Sequence, residues 1–139
     1  MTWHGACPAP TAMSEQSEAL KARTKSFALD VMRFVDDLPP DDSARYLGRQ
    51  LSRAANSVAA NYRSACRARS KAEFVSRIDI VAEEADESAH WLDMLSERGV
   101  DATRTMENLR TEAHELAAIF SASYGTAKRN LQGTAHTPR

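Results

Sequence analysis

The sequence predicts an all-α fold, an antiparallel up-down-up-down four-helix bundle, and three observations carry that prediction. Four stretches place apolar residues at alternating steps of three and four, the spacing that lines one side of a helix. Prolines, capping residues and a glycine separate these stretches by connections of a few residues, which makes consecutive helices antiparallel neighbours. The chain is 139 residues long and 42% hydrophobic, which suits one domain built on one core.

Residues 1–13 contain two prolines, a glycine and no apolar period, and read as a disordered N-terminal tail. Trp3, His4 and Cys7 within it invite a metal reading, but a single ligand cluster with no partner pair is a weak signal. Ser14 offers an N-cap, with Glu15 and Glu18 in the first turn. Helix one follows with its seam at Leu20, Thr24, Phe27, Val31, Phe34 and Leu38, and Pro39 and Pro40 end it.

Asp41, Asp42 and Ser43 start helix two with acids near the positive end of its dipole, and the helix is expected to run to about Ala68, weakened only by Gly48. Its seam is Leu47, Leu51, Ala54, Val58, Tyr62 and Ala65; the neighbouring Ser52, Ala55, Ser57, Ala59 and Ala60 are small enough to let another helix lie close. Asn56 and Asn61 are polar amid these small residues, and interhelical hydrogen bonds that fix register are the expectation for their amides. Ser70-Lys71-Ala72-Glu73 reads as a capping box that starts helix three at Lys71.

The seam of helix three is Phe74, Ile78, Val81, Ala85, Ser88, Leu92 and Leu95. Beside it lie Ile80, Trp91 and Met94, more apolar surface than one bundle core requires. Gly99 supplies a left-handed C-cap, Asp101 the expected N-cap of helix four, and Met106, Leu109, Ala113, Leu116, Phe120 and Tyr124 its seam. Gly125 is expected to end the order. The bundle then spans residues 14–125, and residues 126–139 form a mildly basic, disordered C-terminal tail.

A net charge of −1 argues against a wholesale polyanion binder, so any nucleic-acid contact has to come from local segregation of charge. Two cysteines, Cys7 and Cys66, are not the dense framework of a small secreted domain, and no signal peptide or membrane-spanning apolar run is present. The expected location is therefore the cytoplasm, with no membrane partner. Glycine-rich phosphate loops, nucleophile elbows and paired-cysteine metal signatures are also missing from the sequence. Glu87 and His90 have the i, i+3 spacing of half a ferritin-like di-iron site, with Glu83, Glu84 and Asp86 a turn away. The second half fails, because Thr111 rather than an acid precedes His114 at that spacing; the expectation is no metal, no cofactor and no catalytic residue.

The charge layout is more informative. From Arg63 to Arg77 the chain has Arg63, Arg67, Arg69, Lys71 and Arg77 against the single acid Glu73, all gathered at the helix two–helix three turn. From Asp79 to Glu97 it has Asp79, Glu83, Glu84, Asp86, Glu87, Asp93 and Glu97 and neither lysine nor arginine. Folding this hairpin antiparallel puts Arg53 opposite Glu84, Arg49 opposite Glu87 and Arg45 opposite Asp93, while the arginines among the five basic residues at the turn keep no comparable partners in their own hairpin. Guanidinium forks suit phosphate, so these five are the candidate nucleic-acid-binding residues; a solubilising basic end is the alternative.

The run Gln50-Leu51-Ser52-Arg53-Ala54-Ala55-Asn56-Ser57-Val58-Ala59-Ala60-Asn61, then Arg69-Ser70 and Glu73-Phe74, resembles the signature of four-helix-bundle proteins encoded in intervening sequences of bacterial 23S rRNA genes. Ile80 to Ser88, with Trp91-Leu92, is similar to the third-helix segment of one branch of that family, so the resemblance covers roughly residues 27–95. Where the family continues its asparagine with Ile-Ala-Glu-Gly, this chain has Tyr62-Arg63-Ser64-Ala65, which makes the hairpin tip more basic. The resemblance implies a homo-oligomer, specifically a barrel-shaped pentamer. The similar accessory proteins of diversity-generating retroelements add RNA or DNA and a protein partner as implied ligands. It carries over no catalytic residue.

Together these readings lead to a non-enzymatic, homo-oligomeric adaptor that holds RNA or DNA. A ferritin-like metal-binding bundle and a scaffold without nucleic-acid affinity are the alternatives. Basic residues at one tip favour the adaptor, and the missing second Glu-x-x-His disfavours the metal site.

Overall fold

In the computed structural model, which describes residues 12–100 and 103–135, four helices follow one another along the chain. They are α1 (Ala12–Asp36), α2 (Asp42–Ala65), α3 (Lys71–Glu97) and α4 (Arg104–Ala135), and the described residues include no strand. The candidate ligands Trp3, His4 and Cys7 and the capping candidate Asp101 lie outside the described residues.

Local chemistry sets the ends of the helices. The amides of Asp37 and Leu38 close the last turn of α1 on Phe34 and Val35, just before the proline pair. Asp41 caps α2 by accepting from the Ala44 amide at 2.9 Å, and this hydrogen bond is the main reason its carboxyl is held below the ordinary aspartate range. Ser70 accepts from the Glu73 amide at 3.0 Å, and Glu73 reaches back to the Arg69 amide at 3.1 Å, which completes the capping box. Gly99, at φ +73, closes α3 in the left-handed conformation, with Val100 donating to the Leu95 carbonyl.

All four seams converge on one core. Phe27, Val31 and Phe34 of α1 are buried with Leu51, Val58 and Tyr62 of α2, Ile78, Val81 and Leu92 of α3, and Met106, Leu116 and Phe120 of α4. The seam's hydroxyls are satisfied within their own helices: Thr24 donates to the Lys21 carbonyl and Ser88 to the Glu84 carbonyl. Cross-links between α2 and α3 run in opposite chain directions, from Ser43 with Arg98 at 2.9 Å, through Arg53 with Glu87 at 2.6 Å, to Asn61 with Arg77 at 3.5 Å. That order is the signature of an antiparallel pair. α1 and α4 are joined by Arg23, which grips Glu112 with two bonds of 2.7 Å and Glu115 with a third.

Gly48 has a role that helix propensity does not show. A Cβ there would stand 2.9 Å from Leu38 Cδ1 and 3.0 Å from Val35 Cγ1, so the missing side chain lets the end of α1 lie against α2.

Five boundaries differ from the sequence expectation, among them the end of α1, which stops at Asp36 and leaves Leu38 beyond it. α1 already includes Ala12, which puts Ser14 inside the helix rather than at its cap. α2 stops at Ala65 rather than Ala68, because Arg67 and Ala68 turn their amides onto Ser64 and Ala65 and Ala68 swings into the core. α4 begins at Arg104, with the Thr103 hydroxyl accepting from the Met106 amide at 3.3 Å. At its other end α4 passes through Gly125 and continues to Ala135, so most of the stretch expected to be a tail is helix. A glycine costs a helix only about 1 kcal/mol, and Tyr124 and Ala127 on either side of it pack against the core.

Candidate nucleic-acid interface

The α2–α3 turn sets its own surface by phase. Tyr62, Ala65, Cys66 and Ala68 are buried, so Arg63, Arg67 and Arg69 between them are driven outward, and all three are exposed. None of the three guanidinium groups has an acidic partner among the described residues. Glu73, the acid nearest them in the turn's own sequence, is half-buried and turned to the Arg69 amide. Of the other two candidates, Lys71 is half-buried at the first position of α3, and Arg77 is exposed a turn and a half further along, 3.5 Å from the Asn61 side-chain oxygen. All five sequence-predicted residues thus share one end of the bundle, with Arg63, Arg67 and Arg69 the most open.

Elsewhere the arginines are engaged differently from the hairpin pairing expected. Arg53 does face Glu84, at 3.4 Å, but it also takes Glu87 at 2.6 Å, and Glu87 is therefore not the partner of Arg49. Asp93 is not the partner of Arg45 either, because it turns to α4, where Arg110 donates to it at 3.0 Å and His114 Nε2 lies 3.2 Å from both its oxygens. Arg45 and Arg49 instead flank Tyr46 on an exposed face. Tyr46 meets Trp91 edge to face at 6.1 Å, with Met94 exposed one turn along α3.

The half-site candidates have other partners as well. Glu87 holds Arg53 and lies 3.4 Å from Trp91 Nε1, while the His90 ring packs against Trp91 at 4.8 Å. No group of three or more His, Cys, Asp or Glu gathers among the described residues in a way that could hold a metal ion. The asparagines also depart from expectation: Asn56 is exposed and donates to the Ser52 carbonyl, and Asn61 donates to the Ser57 carbonyl and hydroxyl, both one turn back in α2. Only Asn61 reaches across to α3, through Arg77. A short amide finds the carbonyl four residues back sooner than a neighbouring helix.

Asp93 gives a pH-dependent handle on the α3–α4 contact. Partial burial works to raise its pKa, but hydrogen bonds and charge from His114 and Arg110 outweigh it and hold the carboxyl below the ordinary range. Its contribution to stability is therefore present above the ordinary aspartate pKa of about 3.9 and is lost as pH falls through the lowered folded value. Asp93→Asn is expected to cost about 0.5–1 kcal/mol at pH 7, a loss of a few degrees in Tm, and to flatten the fall in Tm below about pH 4. Melting curves across pH 2–7 check this; an acid limb as steep in the variant as in the wild type would refute it.

Residues 18–122 match the family model for the 23S rRNA-intervening sequence protein. Among solved structures, the fold is similar to the crystal structure of a protein with unknown function from the S23 ribosomal protein family of Bacteroides thetaiotaomicron VPI-5482. The two are 22% identical and superpose with a TM-score of 0.70, covering 78% of this chain and 97% of the other. That likeness speaks for the fold alone. No curated protein sequence matches the chain.

Proposed function

The chain belongs to the family of 23S rRNA-intervening sequence proteins, and from that premise we propose that it is a non-enzymatic, homo-oligomeric bundle that holds RNA or DNA by phosphate contacts at the α2–α3 end. One observation carries the reading. Arg23, Arg33, Arg53, Arg98 and Arg110 each lie against a carboxylate, whereas Arg63, Arg67 and Arg69 are gathered at one turn, exposed and without an ion pair among the described residues; Arg45 and Arg49, also without one, lie toward the opposite end of α2 beside Tyr46. A reading of binding rather than chemistry is supported by the use of the acids on α3 and α4, where Glu84, Glu87, Asp93 and Glu112 are in ion pairs.

Self-association is supported by the face bearing Tyr46, Trp91 and Met94, where Tyr46 is 49% and Met94 42% exposed. We take the pentamer implied by the family resemblance as the assembly. Each subunit then presents the same basic tip, and individually weak phosphate contacts add through multivalency.

The test is fluorescence anisotropy with labelled single-stranded and hairpin RNA and DNA, alongside light scattering at micromolar protein. Affinity should depend little on sequence and fall about 20- to 40-fold between 50 and 200 mM salt for three phosphate contacts, more steeply if several subunits engage. No retention at 50 mM salt would refute the binding reading and leave a scaffold. A monomer mass would refute the assembly.

A further inference from the structure

The continuation of α4 past Gly125 carries two more cations to the basic end. α2 and α4 run the same way, and Phe120 packs its ring 5.1 Å from Tyr62, which sets the level of one helix against the other. From Phe120, Lys128 and Arg129 lie about two turns further on, roughly 12 Å along the axis, while α2 has less than one turn left before its chain reverses. Arg67 and Arg69 lie five and seven residues past Tyr62, roughly 8–10 Å in the same direction, so Lys128 and Arg129 stand within about one helical turn of their level.

Both side chains are exposed. The Lys128 ammonium lies 5.6 Å from the centre of the Tyr124 ring, and Arg129 folds back on the Thr126 hydroxyl at 3.3 Å, so each is steadied by its own helix. The stretch 126–135 contains no carboxylate. The acids at this end sit on other helices: Glu15 and Glu18 on α1, with Glu18 held by Lys21 at 2.6 Å, and Glu73 on α3, turned to the Arg69 amide.

We infer that Lys128 and Arg129 form a second phosphate-gripping strip of the nucleic-acid interface, an inference that rests on the binding function proposed above. Packed helices are about 8–10 Å apart, so a strand anchored on the α2–α3 turn reaches α4 within a few nucleotides. The bound backbone then crosses the end of the bundle from the turn to the last turns of α4, rather than touching the turn alone.

The experiment compares the wild type with Lys128→Gln/Arg129→Gln and with the charge-preserving Lys128→Arg/Arg129→Lys, using a labelled thirty-nucleotide single-stranded RNA over 50–200 mM salt. Glutamine matches lysine and arginine in helix propensity, and circular dichroism confirms that helicity is kept. The glutamine variant is expected to bind about tenfold or more weakly at 50 mM salt, with the slope of log affinity against log salt smaller by about 1.4 to 1.8, while the charge-preserving variant binds as the wild type does. Wild-type binding with an unchanged glutamine variant would overturn this inference and leave the proposed function standing. Equal losses in both variants would overturn the role of charge. A wild type that binds neither this RNA nor single-stranded DNA of the same sequence would overturn the proposed function, and this strip with it.

Discussion

Replacing Arg63, Arg67 and Arg69 together by glutamine is expected to abolish retention of RNA and DNA at 50 mM salt while leaving helicity and oligomer mass unchanged. The three side chains face outward and touch no acid among the described residues, so their removal takes nothing from the fold. Each phosphate contact contributes about 0.7 to 0.9 to the salt slope, so the variant should lose about 2 to 3 from that slope per subunit engaged. Any residual binding should keep only the smaller salt slope that Lys71, Arg77, Lys128 and Arg129 supply. Single changes should each weaken binding by similar amounts regardless of base sequence, because contacts to phosphate position a nucleic acid without reading it. Arg45→Gln/Arg49→Gln is the control: these arginines lie beside Tyr46 toward the opposite end of α2, and their loss should act on assembly rather than on RNA. A tip variant that binds as tightly as the wild type would place the interface elsewhere.

Phe120→Ala is expected to destabilise the bundle by about 3–5 kcal/mol, the largest effect of any single change considered for this chain. Phe120 is fully buried, and its ring meets Tyr62 at 5.1 Å across the diagonal from α4 to α2. Adjacent helices also have polar cross-links, such as Arg53 with Glu87 and Arg23 with Glu112, but this diagonal contact is apolar and central. Truncation leaves a cavity beside Tyr62 in a close-packed core, and the surrounding helices relax only in part. Against a typical domain stability of about 5–15 kcal/mol, thermal unfolding followed by circular dichroism should show Tm lower by roughly 10–25 °C. Phe120→Leu, which keeps most of the volume, should recover more than half of the loss. A decrease of only a few degrees for the alanine variant would mean that Phe120 is not at the centre of the core.

The seams show how much of this protein is readable without coordinates. Every seam residue of α2 and α3 assigned from spacing is buried, from Leu47 to Ala65 and from Phe74 to Leu95. The capping box at Ser70 and the left-handed Gly99 fall where their chemistry requires. The helical period decides which residues face inward, and a cap is satisfied within a few residues, so both belong to local sequence. Likewise, Arg63, Arg67 and Arg69 had to be outward once Tyr62, Ala65 and Ala68 were inward.

Which neighbour a flanking side chain meets was decided only in three dimensions. Arg53 spans Glu84 and Glu87 together, and Asp93 turns from α2 to Arg110 and His114 of α4. Those choices depend on how far each helix rotates about its axis, and the packing of the whole core sets that rotation, not any one segment. The length of α4 was decided in the same way. Tyr124, Ala127 and Leu131 keep the spacing of three and four past Gly125, but whether a glycine ends a helix depends on what lies against the turns around it. Here Tyr124 and Ala127 have core to pack on, so the helix goes on and brings Lys128 and Arg129 to the basic end.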